Sequence, residues 1–127
     1  MIAVTGATGH LGRVLVRELT SRGQAVRVLV VPNDDLRPLA GLPTEVVHGD
    51  VTRLESLEKA FSGIEIVYHL AGVVTIMPGM AKKLEQVNVQ GIRNVAAACR
   101  ADGVRRLVYT SSIHAIAEPP HGTEFDE

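Results

Sequence analysis

The chain has 127 residues, which is one domain by length and enough to bury roughly two thirds of the surface of its unfolded form. Hydrophobic residues at 46% and charged residues at 21% put it among folded globular proteins, outside the low-hydrophobicity disordered class. Thirteen Lys+Arg against 14 Asp+Glu, 3% aromatics and no Trp give neither the basic field nor the stacking platforms of a nucleic-acid binder. The single Cys99 excludes an internal disulfide and reads as a small buried apolar residue, and the five scattered histidines offer no zinc-type spacing. No apolar run approaches the ~20 residues that span a bilayer. The N-terminus lacks the charged and long apolar regions of a signal peptide, so the expected location is the cytoplasm, away from membranes.

Apolar, Val- and Ile-rich runs predict strands at 2–5, 25–31, 45–48, 64–70 and 105–110, each bounded by Gly, Pro, Asp or Ser. Most are apolar on both alternating faces, as in Val26-Arg27-Val28-Leu29-Val30-Val31, which suits parallel strands covered on both sides. Helical periodicity fills the gaps. Leu11, Leu15 and Leu19 form a stripe closed by Gly23. Leu54, Leu57 and Phe61 form another, opened by the capping-box pattern Thr52-Arg53-Leu54-Glu55. Leu84, Val87, Gly91, Val95 and Ala98 make a third, ending near Gly103. The alternation predicts an α/β fold, a Rossmann-type doubly wound parallel sheet of about five strands with helices on both faces. In such sheets ligands bind at the carboxyl ends of the strands.

The first such end carries Thr5-Gly6-Ala7-Thr8-Gly9-His10-Leu11-Gly12 and runs straight into a helix. A bare G-x-x-G-x-x-G is weak in a chain with twelve glycines, but its place between strand and helix makes it a candidate dinucleotide loop rather than a plain turn. Gly6 would permit the tight turn, Gly9 the approach of a pyrophosphate, and Gly12 close packing of helix on strand. The helix N-terminus adds unpaired N–H donors and partial positive charge. No Lys-Ser or Lys-Thr follows the last glycine, which excludes a Walker P-loop.

Four further motifs follow in order: Gly49-Asp50-Val51, His69-Leu70-Ala71-Gly72, Val87-Asn88-Val89-Gln90-Gly91, and Arg106-Leu107-Val108-Tyr109-Thr110-Ser111-Ser112. Together with the glycine loop they cover the chain, which resembles the extended branch of the short-chain dehydrogenase/reductase superfamily, the NAD-dependent epimerase/dehydratases, and most closely their dihydroflavonol-reductase-like subgroup. The resemblance implies NAD or NADP as cofactor. It places Gly6, Thr8, Gly9, His10, Leu11 and Gly12 around the pyrophosphate, with His10 a positional filler rather than a base. Asp50 would accept from the adenine amino group, with Val51 on the ring; its other reading is a turn or helix-capping aspartate. Leu70, Ala71 and Gly72 would line the adenosine ribose, and Asn88 would bond to nearby backbone. Ser112, with Ser111 beside it, stands where the family keeps its catalytic serine.

Val30 and Val31 occupy the positions where relatives place an NAD-selecting acid or an NADP-selecting Arg. Asn33, Asp34 and Asp35 favour a 2′-hydroxyl, Arg13 and Arg37 a 2′-phosphate, and the balance leans to NAD. Family chemistry is hydride transfer at a carbinol or ketone carbon, assisted by a Tyr-x-x-x-Lys pair. Tyr68 and Tyr109 are followed four positions on by Gly72 and Ile113, and no lysine follows Lys83. Residues 113–127, with Pro119 and Pro120, read as the loop before that pair. The expectation is therefore one NAD(P)-binding domain over 1–127, the N-terminal portion of an oxidoreductase, epimerase or dehydratase. The longer protein would act on a small molecule, while the chain as given would not turn over. The family's dimerisation helices imply a homodimer through 81–100. The alternative is a non-catalytic dinucleotide sensor or partner-binding module.

Overall fold

The computed structural model describes residues 1–75 and 77–112. The loop expected at 113–127 lies outside the described residues. In chain order the elements are β1 (Ile2–Thr5), α1 (His10–Ser21), β2 (Val26–Val30), a short 3-10 turn (Arg37–Leu39), β3 (Thr44–His48), α2 (Leu54–Phe61), β4 (Ile66–His69), a helical run from Ala81, and β5 (Arg106–Tyr109). All four strand pairings are parallel, and the order is β3-β2-β1-β4-β5, the predicted doubly wound sheet. The order reverses at β1, so the crevice for a ligand opens beyond the carboxyl end of that strand.

Alternation along the central strands splits the core in two. Ala3, Leu29 and Val67 face α2 and the last helix, packing on Leu57, Phe61, Val95 and Ala98. Ile2, Val4, Val26, Val28 and Val30 face the other way, onto Val16 and Leu39. Apolar character on both faces holds for β1 and β2 but fails at the sheet's margins. Strand β3 is largely exposed or half-buried, and so is β5, because each has a neighbour on one side only among the described residues. Arg27, the one charge within β2, is paired laterally, although its buried Nε makes no hydrogen bond among the described residues. Its guanidinium pairs with Glu45 across the β2/β3 register at 3.0 Å and donates to the carbonyls of Ala60 and Ser62 at the end of α2.

Of three local expectations, two change. The apolar stripe of α1 keeps Leu15 and Leu19, half-buried against the core, but not Leu11. Leu11 is 60% exposed, whereas Gly12 and Val16 are buried, because Gly12 must lie against the glycine loop and so sets which face turns inward. The Gly23 cap does form. With φ +71° it gives its N–H to Thr20, and Gln24 gives its own to Leu19, a Schellman closure. The capping box at Thr52 does not form. Helix α2 starts at Leu54 with no side-chain cap, and the entry is held from the strand side instead. There Ser56 Oγ donates to the Asp50 carbonyl at 2.7 Å and accepts the Asp50 N–H at 3.0 Å.

The third predicted helix is in three parts: α3 (Ala81–Leu84), a π-helical segment (Glu85–Gln90) and α4 (Gly91–Ala101). The wide turns reconcile two anchors. Asn94 donates to the Val51 carbonyl, and Gly91 sits where a Cβ would press on the Val51 side chain at 3.0 Å. Asn88, three residues earlier than Gly91, must at the same time reach Val73. A π-helical insertion is a common way to re-aim side chains beside a functional site. No helix among the described residues is long and apolar enough to cross a membrane.

Candidate functional site

The glycine loop and the end of β4 build the floor of the crevice. Gly6 has φ +69°, and a Cβ there would lie 2.6 Å from Ala71 N and 2.7 Å from the Leu70 carbonyl carbon, so only glycine lets the two backbones meet. A Cβ on Gly12 would come within 2.7 Å of Ala7 Cα and closer still to the Gly6 carbonyl oxygen. Gly9 differs: its only close neighbour would be the Gly6 carbonyl oxygen at 3.2 Å. It caps α1 with its backbone alone, accepting from Arg13 N–H, and no side chain covers the first-turn amides. A dinucleotide fits this cradle: two glycines hold the turn shut while the third opens towards the space above it.

Beneath the floor, strand register sets Thr5 beside His69 and His69 beside Tyr109. The Thr5 hydroxyl lies 2.7 Å from His69 Nδ1, and the Tyr109 ring stacks on the imidazole at 5.5 Å. Burial pushes the His69 pKa down to about 4, so the ring is neutral. Ala71 N–H donates to Thr5 Oγ1 at 3.3 Å, so the one hydroxyl links the imidazole to the backbone at the end of β4. The histidine is buried, and through Thr5 it buttresses the backbone of Ala71.

A cavity of about 510 Å³ extends from the floor, within the ~300–1,000 Å³ range of small-ligand sites. Of the predicted residues, Gly6, Thr8, Gly9, Asp50, Val51, Leu70, Ala71 and Gly72 line it. Asp50 lines the cavity, and its Oδ1 accepts the Thr52 N–H at 2.8 Å in an Asx turn, the second of its two readings. Gly12 lies under the loop. His10 and Leu11 are exposed on the first turn of α1, away from the lining, and His10 meets Arg13 at 3.4 Å. Asn88 acts from behind. Its amide accepts the Val73 N–H and donates to the Val73 carbonyl, both at 2.8 Å, bonding to nearby backbone as the resemblance implied. Ser111 and Ser112 follow β5, exposed, and are not among the lining residues.

Thr5, Leu29, Val73, Lys83 and Val87 also line the cavity without having been singled out for it. Thr5, Leu29 and Val73 sit at or just past strand ends, which the topology rule marks. Lys83 had no local signal, and Val87 had only its place in the helical stripe and the Val87–Gly91 motif. Asp34, weighed only for the ribose, stands at the wall, and the Thr8 hydroxyl donates to its Oδ2 at 2.8 Å. The neighbouring cation is engaged elsewhere. Arg37 grips Asp35 through two nitrogens at 2.7–3.0 Å, which holds the exposed carboxyl below its ordinary range and raises the guanidinium.

Sheet order, glycine turn and strand-end lining define the class: a Rossmann-type domain of the extended short-chain dehydrogenases/reductases. The model of the 3-beta hydroxysteroid dehydrogenase/isomerase family matches residues 3–127, and the chain belongs to that family. It is 44% identical over 119 residues to Sterol demethylase protein B of Methylococcus capsulatus, covering 94% of this chain and 36% of the relative. It is 38% identical over 129 residues to human 3 beta-hydroxysteroid dehydrogenase type 7, covering 96% and 35%. A solved short-chain dehydrogenase/reductase superfamily protein from Agrobacterium tumefaciens, with bound NAD, superposes with TM-score 0.76 at 36% identity, over 88% of this chain and 32% of that one. The chain thus spans about a third of the length of the relatives it matches.

Proposed function

We propose that this chain forms the cofactor-binding portion of an NAD-dependent oxidoreductase, epimerase or dehydratase. The observation that carries the reading is the cradle: Gly6 and Gly12 locked against backbone, Gly9 open, and a lined cavity running from them to Asp34 and Asp50. The NAD-bound relative of like fold supports it. The bound cofactor supplies a nicotinamide that exchanges hydride with a carbinol or ketone carbon of a small-molecule substrate. The chain's part is to bind and orient. The first-turn amides of α1 meet the pyrophosphate, Asp50 accepts from the adenine amino group, and the backbone at Leu70 to Gly72 flanks the ribose. By the family resemblance, Ser112 is the hydroxyl that serves the reacting centre, with Ser111 beside it. The protein would work in the cytoplasm as a homodimer through the helical segment 81–100.

Selection of NAD over NADP rests on Asp34. Thr8, itself in the glycine loop, fixes that carboxylate at the cavity wall, where it accepts from a ribose hydroxyl and repels a 2′-phosphate. Arg37 is held by Asp35 and does not line the cavity. Isothermal titration should show NAD binding at least as tightly as NADP. NADP binding tenfold tighter, about 1.4 kcal/mol, would reject the role of Asp34, and no heat from either at millimolar concentration would reject the dinucleotide reading.

A further inference from the structure

We infer that Lys83 is the cationic partner of the cofactor's diphosphate, reaching over the crevice from the side of β1 opposite Asp34 and Asp50. The inference rests on the dinucleotide reading of the cavity and adds a residue to it. Three charged side chains line the cavity: Asp34, Asp50 and Lys83. Their places in the sheet separate them. Asp34 follows β2 and Asp50 follows β3, on one side of β1, whereas Lys83 belongs to the connection after β4, on the other. The glycine loop follows β1, between the two halves. A ligand with its adenosine end at the two acids and its diphosphate over the loop therefore brings its negative charge towards Lys83.

The rest of the lining does not neutralise that charge. The N-terminus of α1 contributes only about half an elementary charge against a dianionic diphosphate. Arg13 and Arg37 do not line the cavity and lie against His10 and Asp35. Among the described residues Lys83 makes no ion pair, and its side chain is exposed at the cavity mouth. Its direction is fixed by its helix. Lys83 and Val87, four residues apart, both face the cavity, and the double hydrogen bond of Asn88 to Val73 ties that face to the end of β4. A lysine suits this place, since a flexible stem carrying a point charge can follow a phosphate without demanding one fork geometry.

The test is isothermal titration of the protein and its Lys83→Gln variant with NAD, ADP and adenosine, each at low and high salt. Binding of NAD and ADP should weaken about tenfold in the variant, as for loss of one charge-assisted contact, while adenosine binds equally well. The salt dependence of NAD binding should flatten. Lys83→Arg should restore most of the affinity, and Lys82→Gln, whose residue does not line the cavity, should behave as the parent. NAD affinity of Lys83→Gln within twofold of the parent overturns the inference, as does an equal loss for adenosine, which would mark a general effect on the cavity. If the parent protein itself binds no NAD, the dinucleotide reading fails and takes this inference with it.

Discussion

The three glycines of the loop look alike in sequence and are unequal in the fold. Their spacing was legible; their separate burdens were not, because each depends on what the backbone meets across the chain. Gly12 meets Ala7 and Gly6 backbone that cannot yield, so Gly12→Ala is expected to destabilise the unliganded protein by about 3 kcal/mol. Gly9 meets one carbonyl oxygen at 3.2 Å. Gly9→Val should therefore cost about 1 kcal/mol as a poorer helix cap and leave the fold intact. Its side chain would stand over the first-turn amides and abolish the thermal shift that NAD gives the parent. Urea unfolding without ligand and thermal melts with it separate the two variants. A Gly12→Ala protein as stable as the parent, or a Gly9→Val protein with an undiminished shift, contradicts this division.

Elements were legible where one periodicity had one cause. Helix α2 presents Leu57 and Phe61 of its predicted stripe to the core, while Leu54, at its first turn, is exposed. The run 81–101 keeps a helical pattern throughout, so nothing local announces that its middle is π-helical. That follows from two distant anchors, Val51 and Val73, which the sequence does not place relative to each other. The failed capping box has the same origin: Ser56 finds Asp50 across the strand–helix junction, and the Thr52 N–H is already taken by Asp50. Asn88 is the junction between this helical run and the cavity. Replacing it by Ala leaves the half-buried N–H and C=O of Val73 without their partner, and the expected loss is about 2 kcal/mol. The urea midpoint should fall with an unchanged m-value, and NAD affinity should fall with it as Val73 and Lys83 lose their common support. A loss of stability below a few tenths of a kcal/mol, taken as the midpoint shift times the m-value, would show that the clamp carries no weight.

At the scale of the whole molecule, the doubly wound topology was readable because alternating strands and helices with short connections leave few ways to bury both faces of a sheet. The placement of His69 at its centre was not readable, since parallel register alone sets it between Thr5 and Tyr109. That placement ties global stability to pH. In the unfolded chain the imidazole titrates near 6.5, and in the fold burial lowers this to about 4. Between those values the unfolded state binds a proton that the native state refuses, so stability is full above pH 6.5 and falls as the pH drops towards 4. The loss is on the order of 3 kcal/mol for this one group, at about 1.4 kcal/mol per pKa unit. Asp35, held down by Arg37, gives up its contribution only as the pH falls through and below its ordinary value of 3.8, largely beneath this window. Urea midpoints measured from pH 7 to pH 4.5 should therefore decline more steeply for the parent than for His69→Gln, which cannot titrate. Parallel declines would place the proton-linked destabilisation at the carboxylates and leave the buried imidazole without a part in it.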